Sequence, residues 1–294
     1  MEIRVLRYFL SVCEEGSMSS AAKKLHVTQP ALSRQISDLE RELGCKLLMR
    51  ESRGVVPTDQ GLYLRRRAQE IVSLADQTTS DFCNNDEIVE GDVHIGAGES
   101  DGMSVVVRYI REFRERYPNV HFHLHSGNSV DVLERLERGL DDFAILMSYP
   151  EINRYAHIRL APTDAWGVLM KSDDPLAKKE VVGPKDLANV SLIASEQALK
   201  TSVLTHWFGE YTENLEVIAT YNLISNAVHF AREGAGYVLG LDKLVATGGE
   251  TGLEFRLLYP PVVSVIDFAW KRNQVHASAA QKFLEYVRSQ NERN

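Results

Sequence analysis

The sequence predicts a multidomain α/β protein with a small helical domain and β-hairpin, one long helix, and a larger α/β body. Three observations support this prediction. Apolar residues recur at helical spacing through residues 3–45, an unbroken helical pattern covers residues 59–88, and strands alternate with helices from Val93 onward. The length of 294 residues lies where single hydrophobic cores stop growing, at about 250–300 residues, which favours two or more domains.

Composition excludes several classes of protein. Hydrophobic residues make up 44% and charged residues 25%, which is ordinary for a globular chain and too apolar for a disordered one. No run reaches the roughly 18–20 apolar residues of a membrane helix, and charges interrupt the apolar N-terminus, unlike in a signal peptide. The three cysteines show no CxxC spacing and form no disulfide framework. We therefore expect a cytoplasmic protein with no membrane partner.

Three helices are predicted at the N-terminus, over residues 3–14, about 18–25, and about 29–43. Gly16 is a natural stop for the first helix, while Ser17 can cap the second and Thr28 the third. Pro30 falls in the first turn of the third helix, where its missing N–H costs nothing. The predicted buried stripe of that helix comprises Leu32, Ile36, Leu39 and Leu43.

The opposite face of the third helix carries hydroxyl and guanidinium groups. At about 100° per residue, Ser33, Arg34 and Ser37 share this face. Two short extended pieces follow, Lys46–Arg50 and Val55–Thr58, and predict a hairpin, or wing. A helix pair with a basic second helix suits the major groove of DNA, but the same pattern fits an ordinary helical hairpin with a solvated face.

Charge is distributed unevenly along the chain. The net charge is -8, yet residues 1–67 hold 12 Lys and Arg against 8 Asp and Glu, whereas residues 68–294 hold 21 against 33. A basic N-terminal region, or basic head, followed by an acidic remainder is the asymmetry expected when the N-terminal region binds a polyanion. Solvated charged faces are common, so the asymmetry supports DNA binding without establishing it.

The N-terminal region also carries a dense set of motifs. Residues Ser17–Ile36 read SMSSAAKKLHVTQPALSRQI, and Leu39–Gly61 contains LERELG, LLMR and PTDQG. Together these motifs resemble the winged helix-turn-helix of LysR-type transcriptional regulators over about 60 residues. Cys45 and Leu48 depart from the family pattern, which has a small aliphatic residue and Phe there, and both remain apolar.

The resemblance implies a DNA-binding transcriptional regulator with an effector domain, and no enzymatic activity. The third helices of a dimer would enter successive major grooves and read an interrupted palindrome in double-stranded DNA. By resemblance, dimers pair into a homotetramer. The expected DNA-binding residues are Gln29, Pro30, Ser33, Arg34 and Ser37 on base edges, and Thr28, Arg50 and Arg53 on phosphates.

The long helical segment after Gly61 shows apolar steps of four and three residues, typical of a heptad seam. Spacing alone is equally compatible with packing against the chain's own body and with pairing to a second copy. The resemblance favours a homodimer formed through residues 59–89. The seam comprises Leu64, Ala68, Ile71, Ala75, Thr78 and Phe82.

After a polar break at residues 84–87 the alternation of strands and helices predicts a parallel sheet with right-handed crossovers. The alternation repeats, which predicts two lobes, with the last strand and helix returning to the first. The resemblance implies an effector-binding half similar to periplasmic solute-binding proteins. The predicted domains are residues 1–58 (winged helix-turn-helix), 59–89 (linker and dimerisation helix) and 90–294 (effector-binding, with lobe I at about 90–160 and 266–294 and lobe II at about 161–265).

Polar turns at strand ends, near helix N-termini, are the expected ligand positions. Their hydroxyl and N–H groups suit a carboxylate or another polar anion, although plain helix caps need the same residue types. Glu99 and Asp101 depart from the family's more neutral turn. They fit a site that disfavours anions, a cationic or amphipathic effector, or acids at a helix start with no ligand role. The expected effector-binding residues are Ser100, Ser129 and Ser148, which the resemblance also implies, and Gln197, Thr201 and Asn222.

Other chemistries find less support in the sequence. His121, His123 and His125 alternate along one predicted strand, where they form either a zinc site or a half-exposed polar face. Nucleophile-elbow, HExxH, P-loop and dinucleotide signatures are all missing, so we expect no catalytic residue, metal or cofactor. A solute-binding protein and an α/β enzyme are the alternatives. The missing signal peptide and the basic head oppose the first, and the missing nucleophile–base arrangement opposes the second.

Overall fold

The computed structural model describes residues 1–51, 54–83, 89–200 and 202–292. The chain divides into two units, Met1–Cys83 and Asn84–Asn294, each built around its own hydrophobic core. Within the described ranges, every helix is too short or too polar to span a membrane.

The first unit is a winged helix-turn-helix followed by a long helix. Its core joins Phe9 of the first helix, Leu32 and Ile36 of the third, and Ala68 of the fourth, all of them buried. The described elements are α1 (Ile3–Glu15), α2 (Met18–Lys24), α3 (Gln29–Leu43), β1 (Leu48–Glu51), β2 (Gly54–Pro57) and α4 (Asp59–Cys83).

The helix ends in this unit follow the local chemistry that the sequence predicts. Gly16 and Gly44 end α1 and α3 in the left-handed conformation, with φ of 60° and 68°. The side chains of Ser17 and Thr28 cap α2 and α3 by accepting hydrogen bonds from backbone N–H groups three residues on. The wing begins at Leu48, two residues later than predicted, because the N–H groups of Leu47 and Leu48 donate to the Glu40 carboxylate.

Part of the predicted seam on α4 faces the unit's own core. Leu64 and Ala68 are buried, and Ile71 packs against the same cluster as Phe9. Packing against the chain's own body therefore accounts for the first half of the seam. Ala75 is half-buried and Thr78 exposed, while the side chain of Phe82 lies outside the described residues.

The second unit is a mixed α/β structure. Aromatic side chains dominate one of its cores, where Phe113, Phe143, Phe268 and Phe283 are buried together. The described elements, apart from short 3₁₀ turns, are β3 (Gly91–Ala97), α5 (Met103–Arg116), β4 (Val120–Ser126), α6 (Ser129–Glu137), β5 (Phe143–Met147), β6 (Ala156–Lys171), β7 (Val181–Val182), β8 (Ser191–Ser195), α7 (Glu196–Lys200), α8 (Ser202–Phe208), β9 (Glu216–Tyr221), α9 (Ile224–Arg232), β10 (Tyr237–Leu241), β11 (Leu253–Leu258), β12 (Val263–Trp270) and α10 (Ser278–Asn291).

Strand β6 divides this unit into two lobes. Its first part pairs with β12 in a sheet of order β4-β3-β5-β12-β6, which we call lobe I. Its last part pairs with β10 and β11 in a second sheet that also contains β7, β8 and β9, which we call lobe II. Strand β12 and helix α10 return to lobe I, where α10 packs in the aromatic core.

The prediction of a parallel sheet is wrong for the strands that join the lobes. Strands β3, β4 and β5 are parallel, but β12 runs antiparallel to both β5 and β6. The physical reason is the chain path. Strand β6 leaves lobe I and β12 returns to it, so two such strands placed side by side must run in opposite directions.

Candidate nucleic-acid interface and effector cleft

The outward face of α3 presents the side chains that the sequence predicts for base contacts. Gln29, Pro30, Arg34 and Ser37 are exposed and Ser33 is half-buried. Leu32, Ile36 and Leu39 occupy the opposite, buried face. The helix is thus held by its apolar stripe, while hydroxyl, amide and guanidinium donors remain open to a partner.

Arg34 differs from the other arginine of this helix. Arg41 donates to the Asp38 carboxylate at 2.5 Å, a pair one helical turn apart. Among the described residues, no carboxylate lies within ion-pair distance of Arg34. Its guanidinium therefore keeps its full donor capacity for a base edge or a phosphate.

The wing is fixed against the turn between α1 and α2. Val55 N–H donates to the Gly16 carbonyl at 2.8 Å. Gly54 has a φ of 136°, and a Cβ there would stand 2.4 Å from the same carbonyl oxygen, so glycine is required. Arg50 lies on β1 opposite Val55, although its side chain is not among those described, and Arg53 lies outside the described residues.

A carboxylate connects the base of this wing to α3. Glu40 is buried and accepts from Leu47 N–H at 2.9 Å, from Leu48 N–H at 3.3 Å and from Lys46 Nζ at 2.5 Å. Burial opposes ionisation of Glu40, but the Lys46 ammonium and the two N–H groups outweigh it and lower the pKa of the carboxyl. Thr28, predicted for phosphate, is exposed and already caps α3 through Ala31 N–H at 3.4 Å.

A cleft of about 740 Å³, partly open to solvent, lies between lobes I and II. Turns of lobe I supply polar backbone and side-chain groups, and lobe II supplies the ends of β8, β9 and β10 with the starts of α7 and α9. The described lining comprises Gly98, Glu99, Gly127, Asn128, Met147, Ser148, Trp166, Ser195, Gln197, Ala198, Tyr221, Asn222, Ile224, Leu241, Leu244 and Ser264.

Three of the predicted effector-binding residues line this cleft, namely Ser148, Gln197 and Asn222. Ser148 adopts a φ of 42°, and its Oγ accepts from Val265 N–H at 3.1 Å. Asn222 stands two residues before α9, which begins at Ile224. Its Oδ1 accepts from Leu223 N–H at 2.9 Å.

The other predicted residues are placed differently. Ser100 is buried behind the lining, and its Oγ accepts from Gly102 N–H at 3.0 Å. Ser129 is also buried and bonds to Gln197 through both its N–H and its hydroxyl. Thr201 lies outside the described residues. In this structure Ser100 and Ser129 hold neighbouring groups in position rather than facing the cavity.

Sequence reasoning missed several aromatic and apolar residues of the lining. The indole N–H of Trp166 donates to Ser264 Oγ at 2.9 Å, which joins the two strands that cross between the lobes. Tyr221 donates its hydroxyl to the Leu239 carbonyl at 2.7 Å. Burial, reinforced by the nearby charge of Glu99, raises the pKa of Tyr221, so the phenol stays protonated. Trp166 lies within β6 and Tyr221 ends β9, so only the pairing of strands that are distant in the sequence brings them to one cleft.

Side chains from each lobe bond to the other across the cleft. Gln197 Oε1 accepts from Ser129 N–H at 3.0 Å, and its Nε2 donates to Ser129 Oγ at 2.7 Å. Glu99 Oε2 accepts from Ile224 N–H, at the first residue of α9, at 2.5 Å. Lys243 Nζ lies 3.2 Å from Asp101. A glutamine of lobe II thus caps a helix of lobe I, and a glutamate of lobe I caps a helix of lobe II.

The three histidines of β4 lie on the largely exposed strand at the edge of the sheet. His123 Nε2 lies 3.0 Å from Asp92, and its ring stacks on His94 with centroids 4.7 Å apart. Across the described part of the chain, no group of three or more His, Cys, Asp or Glu is arranged to hold a metal ion.

Comparison with known proteins identifies both units. The family model for bacterial regulatory helix-turn-helix proteins of the lysR family matches residues 3–62, and that for the LysR substrate binding domain matches residues 87–292. The transcriptional regulator BenM of Acinetobacter baylyi is 32% identical over 219 residues, 73% of this chain and 70% of BenM. YvbU of Bacillus subtilis, an uncharacterized HTH-type transcriptional regulator, is 28% identical over 291 residues, 98% of each chain.

Solved structures share the fold. Full-length CbnR, solved in complex with its target DNA, has a TM-score of 0.74 at 20% identity, over 98% of this chain and 99% of CbnR. A winged helix-turn-helix with an open, basic reading face, and a two-lobed unit with a ligand-sized cleft, define a DNA-binding regulator that carries its own effector domain. The chain belongs to the LysR family of transcriptional regulators.

Proposed function

We propose that this regulator reads DNA with the outward face of α3. The observation that carries the proposal is Arg34, whose exposed guanidinium has no carboxylate partner among the described residues. Arg pairs bidentately with guanine in the major groove, and Gln29, Ser33 and Ser37 add donors and acceptors beside it. Pro30 shapes the start of the helix against the bases.

Phosphate contacts hold α3 in register. Thr28 lies at the N-terminus of α3, where the helix dipole favours an anion, and its side chain is exposed. Arg50 on the wing, and Arg53, which lies outside the described residues, supply charges for the DNA backbone. This part of the affinity is independent of sequence and falls steeply as salt rises.

The winged helix-turn-helix domains act in pairs. We expect a homodimer through residues 59–89, with dimers pairing into a tetramer that reads an interrupted palindrome. The inward side of α4 is occupied by the first unit's own core, so the pairing surface is the outward stripe of Tyr63, Glu70 and Leu74. Tyr63 and Leu74 are large apolar side chains that remain exposed in the single chain.

The cleft between the lobes binds a small-molecule effector. Ser148, Gln197 and Asn222 supply polar contacts, and Ser100 and Ser129 position the turns behind them. A ligand that binds one arrangement of the lobes more tightly than another shifts the population and so changes DNA binding or bending. We propose a binding role for the cleft rather than a catalytic one, because the matched family consists of transcriptional regulators. The protein then works in the cytoplasm, where its DNA is.

Selection from a random pool of double-stranded DNA tests this function directly. The full-length chain is incubated with the pool at physiological salt, bound duplexes are amplified, and the cycle is repeated. We expect enrichment of an interrupted palindrome whose half-sites lie about one helical turn apart or a multiple of it. A pool that stays random after repeated cycles would overturn the proposal and favour a solute-binding protein.

A further inference from the structure

The effector cleft, whose role rests on the function proposed above, carries an unusual charge for a site at helix N-termini. Among the described lining residues, Glu99 is the one charged side chain. The rest of the described lining consists of hydroxyl, amide, aromatic and aliphatic groups. A ligand that enters this cleft therefore meets a fixed negative charge and no described positive one.

Four N–H groups at the starts of two helices beside the cleft are already occupied. At α6, Ser129 N–H donates to Gln197, and the N–H groups of Val130 and Asp131 donate to Asn128 Oδ1 at 2.9 and 3.0 Å. At α9, Ile224 N–H donates to Glu99 Oε2. An anionic effector would have to displace the protein's own oxygens from both helices, and one of these belongs to a carboxylate.

Glu99 keeps an acceptor free. Its Oε2 holds Ile224 N–H, while no donor among the described residues lies within hydrogen-bond distance of Oε1. Asp101, two residues further on, pairs with Lys243 at 3.2 Å and is not among the described lining residues. Met147, Leu241 and Leu244 offer apolar surface in the same cavity.

We propose that the cleft takes a small organic cation, in which an ammonium or amidinium group pairs with Glu99 Oε1 and an apolar part packs on Met147, Leu241 and Leu244. A charge-assisted hydrogen bond in this partly enclosed cavity is stronger than a neutral one. The carboxylate of Glu99 also bridges the lobes through α9, so binding at Oε1 joins ligand occupancy to lobe closure.

Probes that share one hydrocarbon part and differ in the head group test the charge. Phenethylamine, phenethyl alcohol and 3-phenylpropanoate, and butylamine, butanol and valerate, are titrated calorimetrically into the full-length protein. We expect the amines to bind at least about tenfold more tightly than the matched alcohols and carboxylates. Carboxylates or alcohols that bind as tightly as the amines, or amines that give no heat and no thermal stabilisation, would overturn the proposal.

Two variants separate the Glu99 charge from its structural role. In Glu99→Gln, the amide oxygen can still accept from Ile224 N–H, so the lobes stay bridged, but we expect amine affinity to fall about tenfold or more. Asp101→Asn removes a neighbouring carboxylate that does not line the cleft, and amine affinity should stay unchanged. Equal loss in both variants would contradict a contact at Glu99. The DNA selection described above is the independent check, because failure of the amines with a successful selection removes this inference alone.

Discussion

At the scale of single residues, Glu40 shows how α3 and the wing are kept together. Its carboxylate lies on the side of α3 that faces the core. It accepts hydrogen bonds from the N–H groups of Leu47 and Leu48, at the start of the wing, and from the Lys46 ammonium. A buried charge is tolerated there because three donors surround it. Helix α3 and the wing are therefore fixed in one geometry before DNA binds.

Replacing this carboxylate should destabilise the protein in a pH-dependent way. We expect Glu40→Gln to lower the free energy of unfolding by about 1–3 kcal/mol at pH 7, since it weakens a charge-assisted network. The folded pKa lies below the ordinary value of 4.5, so the stabilisation is present above that value and is lost as pH falls through the folded pKa.

Urea denaturation at a series of pH values measures this difference. Glu42→Gln is the matched control, because Glu42 is an exposed carboxylate two residues along the same helix. Its effect should stay within about 0.5 kcal/mol at every pH. A Glu40→Gln deficit of equal size at pH 3 and pH 7 would contradict the assignment.

The sequence predicts which residues of α3 face outward better than it predicts which residues line the cleft, and particular residues show why. Ser33, Arg34 and Ser37 belong to one helix, whose periodicity alone places them outward. Ser129 is a cap residue in sequence, but its hydroxyl is taken by Gln197, which lies 68 residues further along the chain. Such partners depend on how two lobes meet, and no local pattern encodes that.

At the scale of elements, α4 presents two different faces. The inward face, with Leu64 and Ala68, completes the core of the first unit. The outward stripe of Tyr63, Glu70 and Leu74 follows steps of seven and four residues, which is also a heptad spacing. Both stripes of α4 therefore follow heptad spacing, and spacing alone does not say which of them faces the protein's own core.

A charge on the outward stripe should separate the dimer. We expect Leu74→Glu to raise the dimer dissociation constant at least about tenfold, because it removes an apolar contact and adds a buried carboxylate one helical turn from Glu70. Gln69→Glu adds the same charge at an exposed position on another side of α4 and should leave the dimer intact. Sedimentation velocity over a range of concentrations measures the dimer dissociation constant of both variants. A Leu74→Glu chain that dimerises like the wild type would exclude this stripe as the interface.

Strand β6 explains where the element-level prediction failed. Alternating strands and helices correctly indicate two α/β lobes, but the pattern contains no signal that one strand of 16 residues serves both sheets. The residues from Ala156 onward give no clear strand signal. Their apolar residues alternate irregularly, since each half of β6 is buried by a different lobe.

At the scale of the whole molecule, the cross-lobe caps make the cleft a candidate moving part. Gln197 and Glu99 each satisfy a helix N-terminus of the opposite lobe, and opening the cleft leaves those N–H groups to water. The cost of opening is therefore set by a few exchangeable hydrogen bonds. An effector that replaces or reinforces them can shift the balance between lobe arrangements.

Removal of one cap should loosen the cleft locally. We expect Gln197→Ala to speed amide hydrogen exchange at Ser129 by about fivefold to tenfold, which corresponds to a loss of about 1 kcal/mol of local protection. Gln281→Ala removes a half-buried glutamine of α10, whose amide donates to Glu285, and should leave exchange at Ser129 unchanged. Exchange at Ser129 that is equal in wild type and Gln197→Ala would show that Gln197 does not hold the lobes.

The most direct test of the account is the ratio of affinities for the selected duplex and a scrambled duplex of the same composition. Fluorescence anisotropy at physiological salt should show that the wild-type chain prefers the selected duplex by about 10³ or more. Arg34→Ala should reduce this ratio by about 5-fold to 150-fold, the value of one bidentate base contact, whereas Arg41→Ala, whose guanidinium is paired with Asp38, should preserve it. Equal affinity of the wild type for both duplexes, or an unchanged ratio in Arg34→Ala, would contradict α3 as the reading helix.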